Sequence, residues 1–434
     1  MAPGLSAATG AVGERTVRRI NRRILPFLFL LYIVAFLDRV NVGYAGLEMT
    51  RELHFSPAVF GFGSGIFFVG YVLLEIPGTI LVEVWSARKW IARIMISWGF
   101  IAALTGFVHT AQQFYGARFL LGVAEAGFFP GVIVYLTHWY RGADRGKAIA
   151  FFMSAIPLSQ VIGAPISAEL MRIHWLGWSG WRWLLILEGA PAVVFGVITL
   201  FFLTDRPQQA AWLSEEERDW ITRELESEKH RKLHAGGWAM WRALADRNVL
   251  LLTLSYLCGA TTQYGFSLWL PKIVEKASGY TTFHTTLITA IPYLAAWPVM
   301  ILLGAHSDRT GERRLHVAIP MALSGLALAG TQYVGPSVAL GILMFSFASM
   351  GINGRLPAFW PMPSAFLGGT SAAAAIGAIN CIGNLGGFVG PYIVGMLTGM
   401  TGTYFAGVVF LVGSAFVGAA ATLLVRRSNV QTRV

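Results

Sequence analysis

The 434-residue chain is 55% hydrophobic and 13% charged, whereas a soluble domain is about 25% charged, which excludes an ordinary soluble enzyme. Its net charge of +11 invites a nucleic-acid partner, but the bases are distributed as membrane topology distributes them, and that partner is excluded. Cys258 and Cys381 both lie in apolar runs, so neither a disulfide framework nor a metal site is expected.

The first residues, MAPGLSAATGAVGER, carry no apolar stretch, so no cleaved leader is expected. Apolar runs follow near 24–48, 58–82, 90–111, 117–140, 147–173, 183–203, 249–273, 283–305, 315–334, 337–362, 367–398 and 403–425. Each is long enough to cross roughly 30 Å of hydrocarbon, where unsatisfied backbone groups force a helix. The longest loop, near 204–247, divides the runs six and six. The expected units are therefore a bundle over 1–205, a linker over 206–247 and a second bundle over 248–434. Within the linker Ser214 and Glu217 form a capping box. Trp220, Ile221 and Leu225 recur at helical spacing, which predicts a short amphipathic helix lying on the membrane surface.

Of the 33 lysines and arginines, 25 fall in the termini and the loops on their side, among them Arg15, Arg19, Arg88, Arg145 and Arg427. This bias predicts that both termini are cytoplasmic. Arg51, Arg172, Arg182, Lys272 and Lys276 lie on the other side, and Arg39, Arg118 and Arg355 lie within the runs. Asp38 and Glu125 join those three. Each ionised group at the bilayer centre costs about 2.5–3.5 kcal/mol, so five cost on the order of 10 kcal/mol. That is comparable to a domain's whole stability. Such groups are expected to pair, to line a wet cavity, or to bind or move charge.

Arg118 and Glu125 lie seven residues apart on one helix, two turns, and so share a face. A carboxylate beside a movable arginine switches protonation; a fixed structural pair is the alternative. Asp38 and Arg39 are about 100° apart around their helix, so one faces the fourth helix and the other the cavity, unless they form an internal pair. Arg355 stands among Gly351, Gly354 and Pro357, in an irregular helix. It is either a second anion ligand across the cavity, suiting a dicarboxylate, or a gate residue paired with an acid or a carbonyl. Tyr71, Tyr264, Phe359 and Trp360 offer flat faces with polar tips, which suit an aromatic dicarboxylate. Asn380 and Asn384, costly in lipid, are expected to face the cavity. Glu75 is read as a gate residue, and Glu188 as a structural acid toward a helix end with Arg182 near it.

The loop Gly304-Ala-His-Ser-Asp308-Arg309-Thr-Gly311-Glu-Arg313-Arg314 has a degenerate counterpart at Gly78 to Glu83 followed by Arg88-Lys89. Two related halves point to a transporter with its site at the midplane between them. The loop resembles the signature loop of the major facilitator superfamily. FLDRVNVGYA (36–45), RFLLGVAEAGFFPG (118–131), GWRWLLILEGAPA (180–192), AAWLSEEER (210–218) and INCIGNLGGFVGPYIVG (379–395) resemble, within it, the anion:cation symporter family of phthalate, tartrate and sugar-acid permeases. The resemblance implies an all-α membrane protein of twelve transmembrane helices in two pseudo-symmetric six-helix bundles. It implies Glu125 and Asp38 as proton-coupling acids and Arg39 as the carboxylate ligand. Tyr71, Gln160, Trp360 and Asn380 fall at positions resembling substrate contacts. Arg118, Tyr264 and Asn384 complete the expected site, while Gly304, Asp308, Arg309, Gly311, Arg313 and Arg314 form the inner gate. Glu83 replaces the expected aspartate of the first copy.

There is no GxxxxGK[ST], GxSxG or HExxH in the chain, which argues against nucleotide hydrolysis, a membrane hydrolase or a metalloprotease. The expected function is a proton-coupled symporter importing an organic carboxylate, an aromatic or short dicarboxylate of phthalate type. The alternatives are a sugar-acid or monocarboxylate symporter and an anion exchanger without proton coupling. The expected cofactors are none beyond protons; the partners are the anion and the bilayer, and the chain is expected as a monomer of the inner membrane.

Overall fold

The computed structural model describes residues 3–232, 245–363 and 369–426. Loop residues 233–244, the tail bases Arg427 and Arg433, and the side chain of Glu83 lie outside that description. The described chain is helical throughout: α1 (Pro3–Glu52), α2 (Pro57–Val84), α3 (Ala87–Thr105), α4 (Ala111–Glu125), α5 (Phe128–Thr137), α6 (Gly142–Met153), α7 (Ala155–Leu170) and α8 (Gly180–Phe202) in the first half. The linker helix is α9 (Glu215–Lys232). The second half holds α10 (Arg247–Ser278), α11 (Thr282–Ile288), α12 (Ala290–Thr310), α13 (Arg314–Gly330), α14 (Val338–Gly354), α15 (Leu356–Phe359), α16 (Gly369–Asn384), α17 (Gly386–Thr401) and α18 (Phe405–Leu424).

These elements make the twelve expected crossings. Five crossings are broken into two helices: α4/α5, α6/α7, α11/α12, α14/α15 and α16/α17. Proline explains four of them. Pro130, Pro157, Pro292 and Pro357 each sit two or three residues into the second helix. Each lacks the N–H that would bond the residue four before it, so the ladder opens there. Nine helical segments of the described residues are long and apolar enough to span. Of the other three crossings, α13 is short, α3 begins with Arg88 and Lys89, and α10 carries charge at both ends.

Small residues set the helix contacts, as expected where lipid offers no hydrophobic drive for association. A Cβ on Gly99 (α3) would lie 2.6 Å from the Gly189 carbonyl of α8, and one on Gly189 equally close to the Gly99 carbonyl. Between the halves, a Cβ on Gly61 (α2) would lie 2.5 Å from the Pro391 carbonyl of α17. At the end of the bundle remote from both termini, Lys272 Nζ donates to Thr50 Oγ1 at 2.6 Å, and Arg51 pairs with Glu275. The halves are closed together there.

The linker helix corrects the sequence reading. Its capping box forms: the Ser214 N–H donates to Glu217 at 2.9 Å and the Glu217 N–H to Ser214 Oγ at 3.3 Å. Yet α9 rests on protein rather than on a membrane surface. Glu217 takes Arg15 at 3.2 Å and Arg19 at 2.6 Å, Glu224 takes Arg141 at 3.5 Å and Glu228 takes Arg145 at 3.2 Å. Helix α1 starts far earlier than its apolar run, and this basic extension offers the acids of α9 a partner that lipid does not. Ile221 is buried, and Trp220 lies over Gly13.

Candidate functional site

One face of α1 brings Tyr32, Phe36 and Arg39 together at helical spacing. They line a narrow cavity between the halves together with Tyr71 of α2, Gln263 and Tyr264 of α10, Trp360, and Asn380 and Asn384 of α16. Arg39 is the cation of this cavity. Its guanidinium donates to Glu125 of α4, and its Nη1 lies 3.3 Å from the Tyr264 hydroxyl. The rings of Tyr71, Phe36 and Phe67 surround it at 5.2, 5.3 and 5.5 Å. A guanidinium suits such a box, since it stacks on ring faces while its edge donates to oxygen.

Glu125 is thus claimed by Arg39 and not by Arg118. Two turns of helix separate Arg118 from Glu125 by about 11 Å of rise, so a group on a crossing helix is nearer to each. Arg118 is buried behind the wall, its guanidinium 5.0 Å over Phe67 and its charge felt by Asp38. Asp38, turned away from Arg39 around α1, accepts from Asn41 at 2.9 Å. Glu188 joins this rear layer and accepts from Ser167 at 2.9 Å. The sequence expectation for Glu188 fails here. Arg182 is spent on Glu52 at 3.0 Å and on the carbonyls of Gly106 and Val108 at 2.9 and 3.1 Å.

Arg355 occupies the break between α14 and α15. It is 1% exposed, and a Cβ on Gly259 would meet its Cζ at 2.4 Å. The Tyr256 ring lies 5.9 Å from it. Neither Nη1 nor Nη2 has a hydrogen-bond partner among the described residues, so no acid or carbonyl of theirs holds those two nitrogens. Glu75 of α2 receives the Asn380 amide across the halves. Gln160 is buried on α7, one turn beyond Ile156, which lines the cavity. Phe129 and Trp360 face each other across the halves at 6.3 Å.

The 304–314 loop is held within its own half. Asp308 pairs with Arg313 at 2.6 Å, Arg313 donates to Ser307 at 3.1 Å, and Arg314 donates to the Leu423 carbonyl. Gly311 ends α12 at φ +67°, a left-handed cap that glycine adopts without strain. Gly304 admits Pro357, which a Cβ there would approach to 2.9 Å. Arg309 is exposed.

Sequence reasoning missed Tyr32, Phe36, Tyr256, Gln263 and Phe129 as lining residues, and Asn41 and Ser167 in the rear layer. Helical spacing held part of the signal. Tyr32 and Phe36 precede Arg39 by seven and three residues, and Gln263 follows Tyr256 by seven.

Residues 28–391 match the Major Facilitator Superfamily. A protein of Agrobacterium vitis named "Putative tartrate transporter" is 45% identical over 431 residues, 98% of this chain and 95% of that one. The inner membrane transport protein RhmT of Escherichia coli K12 is 34% identical, over 98% of this chain and 99% of its own. Among solved structures, a bacterial homologue of the lysosomal transporter Spinster, inward-facing and unoccupied, matches with a TM-score of 0.76 at 17% identity. It covers 94% of this chain and 98% of that one.

Proposed function

The chain belongs to the major facilitator superfamily as a multi-pass membrane transporter and not an enzyme, and from that premise we propose that it imports a small organic carboxylate together with protons. The observation that carries this reading is the buried Arg39–Glu125 pair at the cavity wall. A substrate carboxylate needs the same guanidinium edge that Glu125 occupies, since arginine's fork takes one carboxylate bidentately. Protonating Glu125 releases Arg39, and occupying Arg39 with substrate favours protonation of Glu125. Proton and anion therefore bind together. Asp38, held by Asn41 and facing Arg118, is the second proton site. Rocking of the halves about the loaded cavity then delivers both.

Two features support a dicarboxylate. Arg355 carries two donors without partners among the described residues, and a relative named for tartrate covers nearly the whole chain. The aromatic lining from Tyr32, Phe36, Tyr71, Tyr264 and Trp360 keeps a phthalate-like substrate as the second reading. Glu75 and the 304–314 loop act as gates, and the chain works as a monomer in the inner membrane with both termini cytoplasmic.

The test is uptake into liposomes holding the purified protein, with tartrate, phthalate and a monocarboxylate offered in turn. An inward proton gradient should drive a dicarboxylate above its outside concentration. Uptake indifferent to the gradient, with full-rate anion exchange, would replace the symporter with an exchanger.

A further inference from the structure

Where α2 turns into α3, at the end of the bundle that carries both termini, two bases stand on a surface that faces lipid. Lys89, Arg93, Phe100 and Leu104 share one face of α3 by helical spacing. Phe100 and Leu104 are each 60% exposed, and an apolar side chain that no helix covers meets lipid in a spanning segment. Arg93 is half-buried on the same stripe, six residues into α3, which is about 9 Å of rise from its start. A cation at that depth is costly. Its side chain leans toward the N-terminal end of the helix, which carries the guanidinium back toward headgroup level. There it lies 3.9 Å from the centre of the Trp90 ring, and Lys89 Nζ lies 6.0 Å from that of Trp85. The two indoles meet edge to face at 6.3 Å, with Trp85 57% exposed at the end of α2. Tryptophan favours this interfacial level.

Neither base is neutralised by the protein. Asp205, the acid at this turn, accepts from the Ser86 hydroxyl at 2.7 Å and the Arg88 N–H at 2.8 Å, with the Arg88 guanidinium at 4.0 Å. No ion pair among the described residues includes Lys89 or Arg93. The corresponding turn of the second half differs, since Asp308 holds Arg313 at 2.6 Å. The missing partner is an anion, and it must arrive from the lipid side with an apolar body that fits beside Phe100 and Leu104.

We propose that the α2–α3 turn binds the headgroup of an anionic phospholipid such as phosphatidylglycerol. The Arg93 guanidinium donates to the phosphate oxygens in its forked geometry. Lys89, one turn nearer the helix start, adds a second positive charge, and Trp85 covers the interfacial part of the lipid. The acyl chains lie along Phe100 and Leu104. A zwitterionic headgroup brings its own ammonium to two cations and gains less. A free phosphate supplies the charge but leaves the apolar stripe uncovered. The site is independent of the transported substrate and of its coupling to protons.

The experiment titrates phosphatidylglycerol into the purified full chain in detergent and follows the bound lipid by native mass spectrometry. Lys89→Gln together with Arg93→Gln should weaken binding of the first lipid roughly 25-fold, about fivefold per charge. Arg18→Gln together with Arg22→Gln removes equal charge from the exposed start of α1 and should leave that affinity within about twofold. Phosphatidylcholine should bind the unaltered chain more weakly, and excess inorganic phosphate should not displace phosphatidylglycerol. If the first double variant does not fold, Lys89→Gln alone, at an exposed position, should still show the fivefold loss. Equal weakening by the two double variants would reduce the binding to diffuse charge. Displacement by inorganic phosphate would reduce it to a general anion patch, and equal binding of phosphatidylcholine would show that the headgroup charge is not read. Each of these three results overturns the proposal.

Discussion

Glu125→Gln tests the competition for Arg39. The wild-type contact joins groups 8% and 1% exposed, a charge-assisted bond of a class worth about 1.5–3 kcal/mol. Glutamine keeps the shape but offers a neutral acceptor, and such bonds are roughly half as strong. Substrate that takes Arg39 then has about 0.7–1.5 kcal/mol less to displace. At about 1.4 kcal/mol per tenfold, binding tightens roughly three- to tenfold at neutral pH. Calorimetric titration of the purified protein with the preferred dicarboxylate, repeated across pH at constant salt, measures it. Wild-type affinity should rise as pH falls, because protonating Glu125 does what the substitution does. In the variant one fewer proton is taken up per substrate, and gradient-driven accumulation is lost while exchange persists. A variant that keeps the wild-type proton uptake and accumulates substrate refutes the competition.

Arg355→Ala should weaken dicarboxylate binding by about 1.5–3 kcal/mol, roughly ten- to 150-fold, and leave monocarboxylates untouched; equal effects on both remove Arg355 from the site. Gly61→Val drives side-chain atoms into the Pro391 carbonyl, 2.5 Å from even a Cβ. Overpacking costs about 1–3 kcal/mol at the closed end, so labelling of a cysteine placed at Thr50 should increase, and unchanged labelling would deny that the α2–α17 contact closes that end. At Glu217, burial raises the carboxyl's pKa, but the Ser214 N–H and the charge of Arg19 outweigh it and hold it below the ordinary 4.5. A depressed acid stabilises fully above that ordinary value and loses its contribution as pH falls through the lower folded one. Amide exchange along α9 should therefore quicken only below about pH 4.5, and Glu217→Gln should remove that acid-dependent step.

Much of the architecture was legible because a bilayer leaves few options. Apolar run length dictates helices and their number, since nothing else satisfies the backbone in hydrocarbon. Charges inside those runs marked Arg39 and Glu125 for the same reason: an ion there is too costly to be idle. The breaks at Pro130, Pro157 and Pro292 were not legible, because the same missing N–H at Pro77, Pro191, Pro271 or Pro320 leaves its helix unbroken.

What the sequence could not decide is which charge meets which. Helical periodicity fixes a side chain's angle about its own axis and says nothing of the neighbour it faces. Arg39 finds Glu125 86 residues away and Tyr264 225 away, and Glu75 finds Asn380 305 away. The within-helix spacing of Arg118 and Glu125 therefore suggested a pair that crossing helices replaced with a nearer one. Glu188 was misplaced because Arg182, six residues before it, was taken by Glu52. Likewise α9 had an amphipathic face suited to lipid, but Arg15 and Arg19 of α1 and Arg141 and Arg145 at the start of α6 lay within reach of its acids. Local sequence determined the helices and the need for partners; only packing among distant segments chose them.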